Sequence, residues 1–297
     1  MSIRDTLNEL LTAARDHSAY SKGDADFSVT QLIGPAAQTY HKTKQYLNPN
    51  PEVAEAMAEG NFYAMMGTAV HAVIENAITQ ANLESIEGSG REALVEHRMF
   101  ANVGAYKVSG CADLIIDGWI IDWKFASVWE VMHGMKPERE QQLNLLAHLA
   151  RENGMDIKGV GICYIFRDWS ASKAQFDKTY PQSQRYMAQV PLWAPSGADE
   201  YLRERVEIHA KYRALAVDGR EPEAYCSAEE RWAKPDVWAV RRGSNKRAVK
   251  LYQDEGDAYS HAQQKADLWV EHRPGESTRC ELYCPFKDVC KGRGGAA

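Results

Sequence analysis

Apolar and polar residues alternate with a period of two through Tyr106–Ile116 and again through Trp119–Ala126, with Asp117-Gly118 between the two runs. Asp-Gly flanked by β-forming residues is a strong hairpin signal, because glycine and aspartate tolerate the positive φ that a tight two-residue turn requires. With these two residues as the loop, Ile116 faces Trp119, Ile115 faces Ile120, and Asp113 faces Asp122. Further strands are expected at Ala93–Ala101, Lys158–Phe166 and Arg185–Trp193. A helical period marks Tyr63–Ala81, the segment from Pro137 towards Gly154, and Ala198–Ala216. Strands interleaved with helices in this way predict an α/β core with a mixed central sheet flanked by helices.

The same pattern divides the chain. Residues 1–60 read as helical and loop material broken at Asn48-Pro49-Asn50-Pro51, residues 61–218 as the core, and residues 219–297 as an extension packed on it. The extension carries a hairpin turning at Gly243-Ser244-Asn245 and a helix over Gly256–Glu271. The stretches 82–91 and 168–184 read as loops forming rims. Neither repeats nor low-complexity segments occur.

Period-two geometry puts Asp122 and Lys124 on the same face as Asp113, with Leu114, Ile121 and Trp123 on the other. Like charges directly opposite on a sheet repel, and burying them costs several kcal/mol unless something compensates. A divalent cation is the natural compensation, and oxygen ligands suit Mg²⁺ or Mn²⁺. Lys124 could then neutralise a phosphate, orient water or stabilise developing charge. The plainer alternative is a surface hairpin whose acids face water.

Upstream, Gly67, His71 and Glu75 recur every four residues and share one face of the first helix, which brings His71 towards the acids. Val70, Val73, Ile74, Ala77 and Ile78 form the adjoining apolar sector, and Gly67 would let the helix approach another backbone closely. Alone, the histidine and glutamate could be a local contact. Gln142 lies near the start of the helix opened by Pro137, beside the stripe Leu143, Leu146, Ala147 and Ala150, where its amide could bond a phosphate or Lys124.

Taken together, the order Gly67-x3-His71-x3-Glu75, Asp113, Asp122-Trp123-Lys124, Gln142 resembles the PD-(D/E)XK nuclease superfamily in its RecB-like branch. The resemblance spans about residues 28–194 and implies a restriction-endonuclease-like core. It implies His71, Asp113 and Asp122 as metal ligands with the Trp123 carbonyl as another, Lys124 as catalytic lysine, Gln142 as substrate-orienting, and Glu75 as auxiliary. Leu146 departs from the pattern, since the last motif usually carries an aromatic there.

The extension holds Cys280, Cys284 and Cys290, with Cys226 further upstream. Cys111 and Cys163 fall in strands and read as small core residues. Without a secretory signal, disulfides are not expected, and four thiolates are compatible with a [4Fe-4S] cluster or a structural Zn²⁺. The ending Cys280-x3-Cys284-Pro285-Phe286-x3-Cys290 resembles the iron-sulfur nucleases of this superfamily, which include CRISPR-adaptation, AddB-type and phage enzymes. That resemblance favours a structural iron-sulfur cluster. Cys226 is a departure, because the first cysteine usually precedes the nuclease core; it is closer to phage-type versions, as is Ser28-Val-Thr-Gln-Leu-Ile-Gly-Pro.

The 297 residues are 44% hydrophobic, yet no apolar run approaches the ~18 residues of a membrane span. The amino terminus is charged and amphipathic, so the expected compartment is the cytoplasm of a bacterial cell or phage-infected host. A net charge of −6 argues against indiscriminate coating of nucleic acid, but Arg231–Lys250 holds seven basic residues against one acid. Arg241, Arg242, Lys246 and Arg247 are therefore candidate DNA contacts, or else charges solvating an exposed tip. The resulting expectation is a metal-dependent DNA exonuclease of recombination or repair, acting on single- or double-stranded ends, with a recombinase or single-strand-binding protein as a possible partner. Its alternatives are an endonuclease or end-trimming enzyme, and a noncatalytic DNA clamp.

Overall fold

A computed structural model describes residues 22–59, 62–85 and 93–292. The amphipathic amino-terminal segment and most of the 82–91 loop expected from the sequence lie outside the described residues. Two compact units emerge. One takes in the described residues up to Tyr40 and from Phe62 to Asp218; the other takes in His41 onward to residue 59 and then Gly219 onward.

The first unit is α/β. In chain order its elements are β1 (Phe27–Ser28), α1 (Val29–Leu32), the start of α2 (Ala36–Leu47), α4 (Phe62–Ser85), β2 (Ala93–Val103), β3 (Tyr106–Ile116), β4 (Trp119–Ala126), α5 (Val128–Met132), α6 (Pro137–Glu152), β5 (Gly159–Phe166), α7 (Ala171–Phe176), β6 (Arg185–Val190) and α8 (Pro195–Val217). Between α2 and α4 runs α3 (Pro51–Glu59), which belongs to the second unit. The rim expected at 168–184 thus contains a short helix, α7, capped where the Ser170 side chain accepts from Lys173 N–H.

The sheet runs β1-β3-β4-β5-β6, with β2 also paired to β3. Pairings β1–β3 and β4–β5 are parallel and the others antiparallel, so the sheet is mixed, as the spacing of strands and helices predicts. The Asp117-Gly118 turn holds, with φ of 51° and 81°, and Ile116 pairs with Trp119, Ile115 with Ile120, and Leu114 with Ile121. Because β2 occupies one edge of β3 along its length, β1 and β4 share the other edge, at Val108–Ser109 and Leu114–Ile116 respectively.

Helix α6 is the main cover of this sheet. It begins with Pro137, carries Glu138 and Glu140 in its first turn and Arg151 in its last, and so complements the helix dipole at both ends. Leu143 to Ala150 are all buried. A helix buried on every side must satisfy its polar residues internally, and Asn144 does so: its amide donates to Pro191 O at 2.9 Å and accepts from Trp193 N–H at 2.7 Å.

The close helix-to-backbone approach expected at Gly67 is not there: a Cβ at Gly67 would meet nothing within 4 Å. Val73 is 69% exposed and Ala77 also faces solvent, so the apolar sector of α4 is narrower than its sequence suggests. The tight approach occurs instead at Gly110 of β3, where a Cβ would lie 2.6 Å from Leu146 Cδ2 and 3.1 Å from both Leu149 Cδ2 and Val29 Cγ2. Leu146, the position without an aromatic, is therefore packing against the sheet and is 2% exposed.

In the second unit, β7 (Val237–Arg242) lies between β8 (Lys250–Tyr252) and β9 (Leu268–Arg273), with α9 (Glu255–Ala262) packed on them and α10 (Thr278–Leu282) following. The hairpin expected around Gly243-Ser244-Asn245 is present, with Trp238 opposite Tyr252. The helix expected over Gly256–Glu271 is shorter. It ends at Ala262, and Leu268–Arg273 is a strand because Leu268 and Val270 alternate with Trp269 and Glu271 and pack on Val240, a period-two pattern that β7 completes. His41 stacks on Tyr225 and on Phe286, at 5.6 and 5.2 Å with interplanar angles of 15° and 18°. Among the described residues no helix is long and apolar enough to cross a membrane.

Gly110→Ala should destabilise the first unit by roughly 1–3 kcal/mol, since the added methyl overpacks the seat of α6. Urea unfolding would measure it, and Gly67→Ala serves as the contrasting variant expected to be neutral or slightly stabilising in a helix.

Candidate active site

Strands β3 and β4 part company one residue pair below the expected carboxylates. Their ladder ends at Leu114–Ile121, so Asp113 and Asp122 do not form a strand pair. The Trp123 N–H donates to Asp113 Oδ2 at 2.8 Å, so a side chain takes a backbone donor at the point where the strands separate. β4 meanwhile stays paired to β5 on its other edge as far as Ala126–Phe166. The result is a fork with a carboxylate wedged in its crotch.

The disturbance reaches across β3 to β2. Glu96 and Asp113 stand opposite each other in register, yet their pairing is skipped, and Glu96 has φ of 46°. A non-glycine residue there interrupts the pleat. Beyond the break Leu114 and Ile115 are both buried, so β3 is covered on both faces there.

Around the fork the side chains converge. Asp122 is 4% exposed, and Lys124 Nζ lies 2.7 Å from both of its carboxylate oxygens, donating a hydrogen bond to Oδ1. Oδ2, fully buried, has that ion pair but no hydrogen bond. His71, on α4, places Nδ1 3.5 Å from Asp113 Oδ2 and Nε2 2.9 Å from the Trp123 carbonyl oxygen. A carbonyl only accepts, so Nε2 carries a proton in this arrangement. Burial raises the Asp113 pKa to about 6, the Asp122 charge adds to the rise, and His71, Lys124 and the Trp123 N–H oppose it.

These donors fit a hard divalent cation. An imidazole, two carboxylates and a carbonyl are a set that could hold Mg²⁺ or Mn²⁺, with the His71 Nε2 proton displaced if that nitrogen is the ligand. Asp122 Oδ2, fully buried, faces the Lys124 ammonium at 2.7 Å. Among the described residues, the tight group of potential ligand atoms is His71, Glu96 and Asp113, all within 4.8 Å of one another. Asp122 is outside that group and Glu96 inside it. Glu96 carries no motif in the sequence; the only available signal was its position opposite Asp113 across a hairpin whose register the apolar pattern does not fix.

The remaining candidates are placed as follows. Glu75 is half-buried, one helical turn beyond His71, and Gln142 is half-buried near the start of α6. Tyr164, beside Lys124 across the β4–β5 pairing, directs its hydroxyl to Glu130 Oε1 at 3.4 Å, and Glu130 is held by Arg139 at 3.1 Å. Burial pushes the Tyr164 pKa up to about 12, so the hydroxyl stays protonated. Trp129, just past the end of β4, is 63% exposed and stacks on His133 at 4.2 Å. The cysteines Cys111 and Cys163 are half-buried on the strands, not sealed in the core, and Cys111 Sγ donates to Glu96 Oε2 at 3.4 Å.

In the second unit, Cys226, Cys280, Cys284 and Cys290 converge. Burial raises the Cys226 pKa to about 12, followed by Glu230 and then by the other three cysteines. The basic hairpin is partly spoken for. Arg241 bonds Glu271 at 3.0 Å and Asn245 O at 2.6 Å and lies over the Trp269 ring, while Arg242 pairs with Asp267 at 3.3 Å. Lys246 and Arg247 are exposed in the β7–β8 loop.

No protein-family model matches the chain, and no curated protein matches it. Solved structures similar to it include one described as the crystal structure of SSO0001, at 17% identity over 73% of this chain and 97% of that one, with a TM-score of 0.45.

A carboxyl whose folded pKa lies above its unfolded value favours folding fully below the unfolded value, near 4, and that contribution is lost as pH rises through about 6. Without divalent cations the first unit should therefore lose up to about 3 kcal/mol between about pH 4 and pH 7. Asp113→Asn should flatten that slope, and Mg²⁺ should restore stability above about pH 6 while binding weakly below it, where protons compete. Urea titrations with and without Mg²⁺ across this range check both statements.

Proposed function

We propose that the chain is a Mg²⁺- or Mn²⁺-dependent deoxyribonuclease of the PD-(D/E)XK type, acting as a DNA exonuclease. The observation that carries this reading is the fork itself, where His71 contacts both Asp113 and the Trp123 carbonyl, Asp113 accepts from the Trp123 N–H, and the buried Asp122–Lys124 ion pair flanks Trp123 on the same strand. Neither a water-facing surface hairpin nor a passive clamp explains why two acids are held together with Asp122 only 4% exposed.

His71, Asp113, Asp122 and the Trp123 carbonyl would hold the cation. Bound there, it would polarise a phosphoryl oxygen and acidify the attacking water. Lys124 orients that water and offsets charge on the pentacovalent phosphate, exchanging part of its contact with Asp122 for the substrate. Gln142 donates its amide to a non-bridging phosphate oxygen. A P–O bond to water forms, the P–O ester bond breaks, and the proton lost by water ends in solvent while the leaving oxygen takes one up. The indole of Trp129, exposed and backed by His133, offers a face on which an unpaired base could stack beside the reacting phosphate. Lys246 and Arg247, whose neighbours Arg241 and Arg242 are engaged internally, are the hairpin cations best suited to DNA phosphates.

The four cysteines would hold a structural [4Fe-4S] cluster. What favours the cluster over one structural Zn²⁺ is the resemblance of the Cys280-x3-Cys284-Pro285-Phe286-x3-Cys290 ending to iron-sulfur nucleases.

Lys124→Ala should cut Mn²⁺-dependent release of label from end-labelled single- and double-stranded DNA by about 10³-fold while leaving the visible spectrum unchanged. Cleavage retained near the wild-type rate would remove the mechanism. Cys284→Ser should bleach the brown chromophore and lower the melting temperature before it alters turnover of the folded fraction; a colourless wild-type protein of undiminished stability would remove the cluster.

A further inference from the structure

Glu96 is used by nothing in the mechanism above, and its setting is unfavourable unless it binds something. It stands opposite Asp113 across the β2–β3 pairing, where two carboxylates repel. Its backbone is held at φ of 46°, a region that glycine occupies freely and glutamate does not. As an exposed side chain it could swing into water, yet a carboxylate oxygen lies within 4.8 Å of ligand atoms on both His71 and Asp113. The Cys111 thiol donates to Oε2 at 3.4 Å and helps to fix that orientation. Two further groups adjoin these ligands: the Trp123 carbonyl oxygen, 2.9 Å from His71 Nε2, and Asp122 on the same strand, a carboxylate 4% exposed and paired to Lys124.

We infer that Glu96 is a direct ligand of a divalent cation, in a set with His71 and Asp113 that supplies the solvent-facing side of the site. The inference rests on reading the fork as a divalent-cation site, and it extends that reading by a carboxylate from β2. Two ligand sets would share Asp113. One is His71, Glu96 and Asp113, whose ligand atoms lie together; the other, taken from the proposed mechanism, would add Asp122 and the Trp123 carbonyl to Asp113. Glu96 reaches the cation from a strand on the far side of β3 from β4, so the site is clasped across both edges of β3. The skipped pairing at Glu96 and Asp113 turns the carboxylate towards the ligands, where a regular ladder would fix it by strand alternation.

Mn²⁺ binding followed by electron paramagnetic resonance of the free ion tests this without reference to turnover. Glu96→Gln keeps the shape of the side chain and removes its charge; Glu96→Gly removes the ligand and relieves the backbone. Both should weaken Mn²⁺ binding about tenfold or more. Glu96→Gly should melt no lower than wild type in divalent-free buffer, which separates loss of a ligand from loss of fold even if Glu96→Gln folds poorly. Wild-type affinity in a folded Glu96→Gly or Glu96→Gln protein would overturn the inference, as would a wild-type protein that binds no Mn²⁺. Wild type that binds Mn²⁺ through Glu96 but cleaves no DNA would sink the nuclease reading and leave the ligand assignment standing. DNA cleavage with Mn²⁺ affinity indifferent to Glu96 would do the reverse.

Discussion

Charge confined at the fork of β3 and β4 is the constraint on which the rest of this structure depends. Asp113, Asp122 and Glu96 bring three carboxylates to one place, answered by one lysine and one histidine. With His71 neutral the group carries a surplus of two negative charges, and with His71 protonated a surplus of one. Desolvation makes that surplus costly, because Asp122 is 4% exposed and Asp113 is held near half-protonation at about pH 6. Lys124 cannot settle it alone, since both its short contacts go to Asp122. A doubly charged cation at the fork would remove the surplus; without one, protonation of Asp113 relieves it.

Holding such a group together is the task of the surrounding elements. The Asp117-Gly118 turn and three paired residues fix where β3 and β4 begin to diverge. β5 keeps β4 extended beyond that point, so Asp122 and Lys124 stay on one face while Asp113 takes the freed Trp123 N–H. Behind Lys124, Tyr164, Glu130 and Arg139 form a chain of polar contacts that pins α5 and α6 beside the strand. Gly110 then seats α6 directly on β3, because any side chain there would strike Leu146. Backbone separation, not side-chain reach, is thus what opens the site.

Much of this was legible in the sequence, and the exceptions have physical reasons. Periodicity gave β3, β4 and their turn, since a period-two pattern and Asp-Gly are local signals. It could not show that the ladder stops at Leu114, because strand divergence is decided by what β5 and Asp113 do to β4 from outside the hairpin. Glu96 was invisible for the same reason: its relation to Asp113 depends on the β2–β3 register and on one non-extended residue. The Gly67 expectation failed because a small residue reports the possibility of close approach and says nothing of whether a neighbour comes. The long helix expected over Gly256–Glu271 failed because strand and helix periods are hard to separate in a stretch whose partner, β7, is nearly thirty residues away in sequence. Arg241, a candidate DNA contact, also bonds Glu271 and lies over Trp269 on that strand, a pairing that the helical reading of 256–271 could not show.

The second unit sets the opposite problem, too little burial instead of too much charge. Its sheet core is built on Val240, Ala258 and Ala262, two of them alanines, with Trp238, Tyr252, Leu268 and Val270 only partly covered. At about 25 cal/mol per Å² of apolar surface, so small a cluster offers little against the entropy of ordering its chain. Small units of this kind usually need a covalent or metal staple. The cysteines would meet that need beside a separate aromatic group: Cys226 follows Tyr225, Cys284 and Cys290 bracket Phe286, and both rings stack on His41. Ligation of the four sulfurs would therefore tie the 41–59 helices, the Tyr225 loop and the C-terminal segment through one aromatic stack. Because thiolate ligation is absent from the unfolded chain, its whole binding free energy would appear as stability of this unit.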